Sequence, residues 1–192
     1  MNHVLPTICL AVMACASGTM ANATTYCGKS GAETWGEIRE SLVGHWTITH
    51  QSGYALTGGM VIPFPADPEV EVLTIAQFGE VLEASHPEMQ APMVLRLADE
   101  PRWVMEMDDP SYPKPTLTLS DLELIVGCQQ MELPRIIGTT TAVVDGIKMD
   151  FVNRLILIDP RTLYGLMEMN TVVRGTPVTA VRTVSLTRDV AQ

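Results

Sequence analysis

An all-β, mainly antiparallel domain with one short N-terminal helix is the fold class this chain predicts, on three observations. From Gly44 onward the apolar residues recur with period two, as Trp46, Ile48 and His50 do against His45, Thr47 and Thr49. Turn signals return roughly every 8 to 12 residues, the spacing of hairpin-connected strands. Asp145-Gly146 sits between two β-branched runs, Ile137 to Val144 and Ile147 to Ile158, and is the strongest hairpin signal in the sequence.

The 192 residues begin with a stretch, Met1 to Ala23, that has no Asp, Glu, Lys or Arg. Its apolar run from Val4 to Ala16 ends in Ala21-Asn22-Ala23, which fits a secretory cleavage site even though the usual positive n-region is missing. Residues 1–23 are therefore expected to be a signal peptide and 24–192 a single mature domain, periplasmic or secreted. Read instead as an anchor, the run is short of the roughly 20 apolar residues that cross a bilayer. Val12-Met13-Ala14-Cys15 offers a competing lipoprotein cleavage box, with Cys15 lipidated.

Removal of the signal leaves Cys27 and Cys128 as the mature cysteines. In an oxidising compartment they are expected to pair, the alternative being two free thiols. The formal net charge is −10, and Asp67 to Glu123 alone carries 13 acids against Arg96, Arg102 and Lys114. Such a balance repels nucleic acid and anionic membrane surfaces, and the plain reading of the acidic stretch is a solvated surface.

Taken in order, Ala32 to Leu42 places Trp35, Ile38 and Leu42 at helical spacing, and Gly44 stops the helix. A first strand starts there, with Ser52-Gly53 and Gly58-Gly59 as turn signals. Pro63, Pro65 and Pro68 make Gly59 to Pro68 a loop or an edge. Val70 to Ile75 and Glu80 to Ala84 form a hairpin about Gly79, Val70 and Val72 alternating with Glu71 and Leu73. Met93 to Leu97 is a further strand, and Trp103, Met105 and Met107 share a face of the next. Leu117 to Leu133 suits a buried strand or a helical turn equally well. After the Asp145-Gly146 hairpin, Asp159-Pro160-Arg161-Thr162 and Arg174-Gly175-Thr176-Pro177 turn the chain into two last strands, Leu163 to Val173 and Val178 to Arg188.

A short helix, a Gly-x-Trp at the first strand, a meander of hairpins and a late-strand Arg together resemble the lipocalin and calycin barrels. Gly44 and Trp46 carry the motif here. Arg182 is the candidate Arg, because it is the charged residue on the parity of Val178, Ala180, Val184 and Leu186. The resemblance implies an up-and-down barrel in which Arg182 packs over an inward Trp46. The family's Thr-Asp-Tyr turn motif is absent from this chain.

Motifs for catalysis are missing: there is no Gly-x-Ser-x-Gly, no His-Glu-x-x-His and no complete phosphate loop around Gly28-Lys29-Ser30. His45 and His50 point to opposite faces and cannot share a metal. The expectation is a non-enzymatic protein without cofactor or metal, binding a small apolar or amphipathic molecule. Its pocket candidates are Trp46, Ile48, His50, Trp103, Met105, Met107, Met167 and Met169, since flexible, polarizable methionines suit varied apolar guests. Against this stands a plainer alternative, a cell-envelope module in which the same side chains simply fill the core. Lesser alternatives are an enzyme using His50, which requires a carboxylate beside it, and Cu(I) held by Met105, Met107, Met167 and Met169 with His50.

Overall fold

A computed structural model describes residues 26–98, 112, 115 and 117–188. The expected signal peptide and the Trp103, Met105 and Met107 stripe lie outside the described residues. A 3-10 turn, Ala32–Thr34, leads into helix α1 (Trp35–Leu42), which buries Ile38 and Leu42. Nine strands follow: β1 (Gly44–Thr57), β2 (Met60–Phe64), β3 (Val70–Phe78), β4 (Val81–Ser85), β5 (Met93–Leu97), β6 (Arg135–Val144), β7 (Ile147–Asp159), β8 (Thr162–Val173) and β9 (Thr176–Arg188). Each of β3 to β8 pairs antiparallel with the next, and β1 pairs with both β3 and β9. Eight strands therefore close into a barrel. The ninth, β2, pairs with Gly53–Thr57 of β1 beyond the end of β3. As an edge strand it tolerates Pro63.

Local chemistry sets the turns. Asp145 (φ 52°) and Gly146 (φ 77°) are both left-handed, as a type I′ hairpin needs, and Arg174-Gly175 repeats the pattern at φ 49° and 82°. Ser52-Gly53 does not turn the chain: β1 runs through it with an irregularity in its pairing to β9 between His50 and Gly53. A Cβ on Gly53 would lie 2.3 Å from the Val181 carbonyl oxygen, so glycine permits the backbone approach there. The stretch left open between strand and helix contains α2 (Leu119–Val126) and a 3-10 turn, Gln130–Glu132. Thr118 and Asp121 form a reciprocal capping box at the start of α2, and Gly127 (φ 78°) ends it.

Both helices belong to the end of the barrel where β1 begins, the end that β5 leaves and β6 re-enters. A disulfide ties the N-terminal arm to this end, joining Cys27 to Cys128 with Cα atoms 6.0 Å apart. Here the core is dense. Trp46, Ile38, Leu42, Ile75, Leu82, Leu157 and Leu163 are at most 1% exposed. The Trp46 indole N–H donates to the Leu42 carbonyl at 2.7 Å, so the one polar atom of the ring is satisfied.

The late-strand arginine facing Trp46 is Arg188, not Arg182. Arg188 is the direct partner of Trp46 in the β1–β9 ladder, whereas Arg182 stands opposite Gly53. The Arg188 guanidinium donates to the carbonyls of Ser41 and Val43 at 2.7 and 2.5 Å, closing the last turn of α1. Gly44 makes room for it: φ is +139°, and a Cβ would sit 3.0 Å from the guanidinium. Residues 182 and 188 share one parity on β9, so alternation cannot tell them apart; only the register does.

Candidate functional site

Further along the barrel the packing gives way to a cavity of about 300 Å³. Ile48 and His50 of β1, Glu71 and Leu73 of β3, Met93 of β5, and Phe151 and Asn153 of β7 line its walls. The β4–β5 loop forms a rim, through His86, Glu88 and Gln90. A second void of only about 20 Å³ lies between Asn153 and Leu155, Ile75 and Leu186, and marks where the solid floor starts.

The wall is built by strand alternation. Trp46, Ile48 and His50 share the inner face of β1, and all three are buried. On β3 the inner set is Glu71, Leu73 and Ile75, while Val70 and Val72 are 61% and 46% exposed on the outside. On β7 the inner set runs Phe151, Asn153, Leu155. Of the expected pocket residues, Ile48, His50 and Met167 are on the cavity wall. Trp46 is fully buried in the floor beneath it, and Met169 is not among the lining residues. Arg182 is also away from the wall: its guanidinium lies 4.9 Å from the Phe64 ring centroid and 4.0 Å from Asp67 Oδ2, and it donates to the Pro65 carbonyl.

His50 is 6% exposed, and its Nε2 lies 3.4 Å from Glu71 Oε1. The contact is attractive only with the proton on Nε2, since a ring lone pair facing a carboxylate would be repelled. That tautomer leaves Nδ1 with a lone pair, and Nδ1 has no hydrogen-bond partner among the described residues. Burial pushes the His50 pKa below its ordinary 6.5; the Glu71 carboxylate opposes the shift, nearby Arg182 adds to it, and Asp67 opposes it. The ring is thus neutral at neutral pH.

Asn153 is 5% exposed, and its Nδ2 approaches Met93 Sδ at 3.0 Å. An N–H facing sulfur is attractive where an oxygen facing it would not be, so Oδ1 is the amide's free end. It too has no partner among the described residues. The hydroxyls of Thr140 and Thr141 donate to the Ala91 carbonyl and Asp150 Oδ1, at 3.2 and 2.7 Å.

Glu71, Met93, Phe151 and Asn153 also line the cavity, and none of them stood out as a pocket residue from sequence alone. A signal for two of them was present: Glu71 shares its parity with Leu73 and Ile75, and Asn153 stands between Phe151 and Leu155 on an apolar parity, much as Arg182 stands between Ala180 and Val184. Among the described residues no three His, Cys, Asp or Glu side chains come together as a metal site, and no helix is long and apolar enough to cross a membrane. No protein-family model matches the chain, and a search of curated proteins returns no significant match.

Proposed function

We propose that this is an exported, periplasmic or secreted, lipocalin-like barrel that binds a small apolar or amphipathic molecule and does not act as an enzyme. The observation that carries the proposal is the cavity of about 300 Å³, whose mainly apolar wall includes two side chains at least nine-tenths buried, His50 and Asn153, each with an unpartnered polar atom. A concave, mainly apolar wall of this kind gains free energy when an apolar guest displaces its water. A core-filling envelope module has no use for such a space. The Cys27–Cys128 disulfide supports an oxidising compartment. Native mass spectrometry of protein purified from its exporting host is expected to show an adduct of small-molecule mass that organic solvent removes. A mass equal to the polypeptide alone, together with failure to take up an environment-sensitive apolar dye, would sink the proposal.

One observation favours a second reading: the carboxylate that an acid–base role for His50 requires is present, in Glu71 at 3.4 Å. The pair is half of a catalytic arrangement, because no nucleophilic side chain among the described residues meets His50 Nδ1. Turnover of activated esters of medium-chain acids, abolished by His50→Gln, would favour the enzyme over the binder; a rate equal to the buffer blank would dismiss it.

A further inference from the structure

The cavity of about 300 Å³ and the void of about 20 Å³ beneath it share four lining residues, Ile48, Leu73, Met93 and Asn153. These four mark the level at which open space ends. Above it the rim is polar, with His86, Glu88 and Gln90. Below it the void adds Ile75, Ala84, Leu95, Leu155 and Leu186, all apolar. A guest entering polar end first would bring that end down to hydrocarbon, where it loses water and gains no partner. A guest entering tail first keeps its polar end at the rim. Of the four residues at the boundary, Met93 is the unbranched one, with three rotatable side-chain bonds, whereas Ile48 is β-branched and stiff at χ1. Small neighbours on both adjoining strands leave Met93 room. Ala84 stands opposite it on β4, and on β6 its sulfur lies over Gly138, where a Cβ would come within 2.6 Å of Sδ. The Asn153 amide N–H donates to the same sulfur at 3.0 Å. Met93 is an adjustable side chain seated in a notch that a glycine provides, at the boundary between the cavity and the deeper void.

We propose that the cavity takes an unbranched aliphatic tail, tail first, and that Met93 is the stop that sets how deep the tail goes and hence which chain length the protein prefers. This inference rests on the ligand-binding reading above. Met93 meets the end of the tail. Met167 lines the cavity but not the void, so it belongs to the side wall and grips the chain without measuring it.

The test is displacement of a neutral fluorescent dye, N-phenyl-1-naphthylamine, from the full mature protein by the straight-chain 1-alkanols from hexanol to tetradecanol. Affinity is expected to rise about fourfold with each added CH₂ while the tail descends, and to stop rising at the length that reaches Met93. Met93→Ala removes three heavy atoms from the stop and should move that length up by about two carbons, so that the longest alkanols bind at least tenfold more tightly than to the unaltered protein. Gly138→Ala, whose Cβ would drive the sulfur from its notch, should move the length down. The two variants act in opposite directions, so either one decides if the other loses its thermal transition. Met167→Ala should weaken every alkanol by a similar factor and leave the preferred length where it was. An unchanged preferred length in Met93→Ala or Gly138→Ala, or a shift as large in Met167→Ala, overturns the role of Met93 and leaves the binding function standing. Affinity that climbs through tetradecanol in the unaltered protein does the same. A protein that takes up neither the dye nor any alkanol overturns the binding function itself.

Discussion

Trp46 and His50 stand four residues apart on the same inner face of β1, and their surroundings are opposite. Around Trp46 the barrel is filled: the ring is fully buried, its N–H is bonded to Leu42, and Arg188 opposite it is bonded to two carbonyls of the helix end. Around His50 the barrel is open to a cavity, and buried polar atoms go without partners. The end around Trp46 is packed solid, which makes it a stability element, even though the buried Gln130 amide there also goes without a partner among the described residues. The other leaves a cavity of about 300 Å³ with a mainly apolar wall, packing given up where a guest can restore it. Four perturbations separate the two halves.

The largest effect is expected at the closed end from Cys27→Ser combined with Cys128→Ser. The bond spans 101 residues, and freeing a loop of that length costs about 4–5 kcal/mol in the chain-entropy treatment. Urea unfolding should show an unfolding free energy lower by that amount. Next is Trp46→Ala, which removes a fully buried ring from the floor; chemical denaturation should register a loss of about 3–5 kcal/mol. A loss below about 0.5 kcal/mol would place Trp46 outside the core and undo the contrast between the halves.

In the open half the sign is expected to reverse. Asn153→Leu replaces a buried amide whose oxygen has no partner among the described residues with an apolar group of similar size, so the ligand-free protein should gain about 1 kcal/mol. Equal loss of stability at Asn153 and at Trp46 would show the two halves to be energetically alike. The smallest effect is a pH dependence. Because the folded-state pKa of His50 is lowered below 6.5, the unfolded chain takes up the proton first as pH falls. Stability should therefore decline from about pH 6.5 down through the folded pKa and then level off. His50→Phe should remove that component and leave the acid-side loss from Glu80, Asp121 and Asp150, whose hydrogen-bonded carboxyls titrate below their ordinary range.

Much of the barrel was legible in the residues because strand alternation and turn chemistry are local. Gly44-x-Trp46 marked the start of β1, and Asp145-Gly146 demanded left-handed backbone that only a type I′ hairpin uses well. The helix at 119–126 could have been read from Thr118-x-x-Asp121 and Gly127, a capping signature that outweighs the ambiguous apolar run. The site was less legible. Period two states which residues share a face but not which face is inside, so Glu71 and Asn153 remained ordinary polar residues until β3 and β7 were rolled into a wall.

What the sequence by itself determined is most of the strands from β3 onward with their hairpin order, the expected cysteine pair and the inward set on β1, all of which follow from short-range sterics and patterning. What only the tertiary structure decided is register and depth. The irregular pairing between His50 and Gly53 and the closure of β1 on β9 put Arg188 opposite Trp46 and send Arg182 to Phe64 and Asp67. Closure also fixes the level at which packing stops, so that His50 and Asn153 face a cavity while Trp46 faces solid core. Register and closure sum pairings across the whole sheet, and no single stretch of sequence contains that sum.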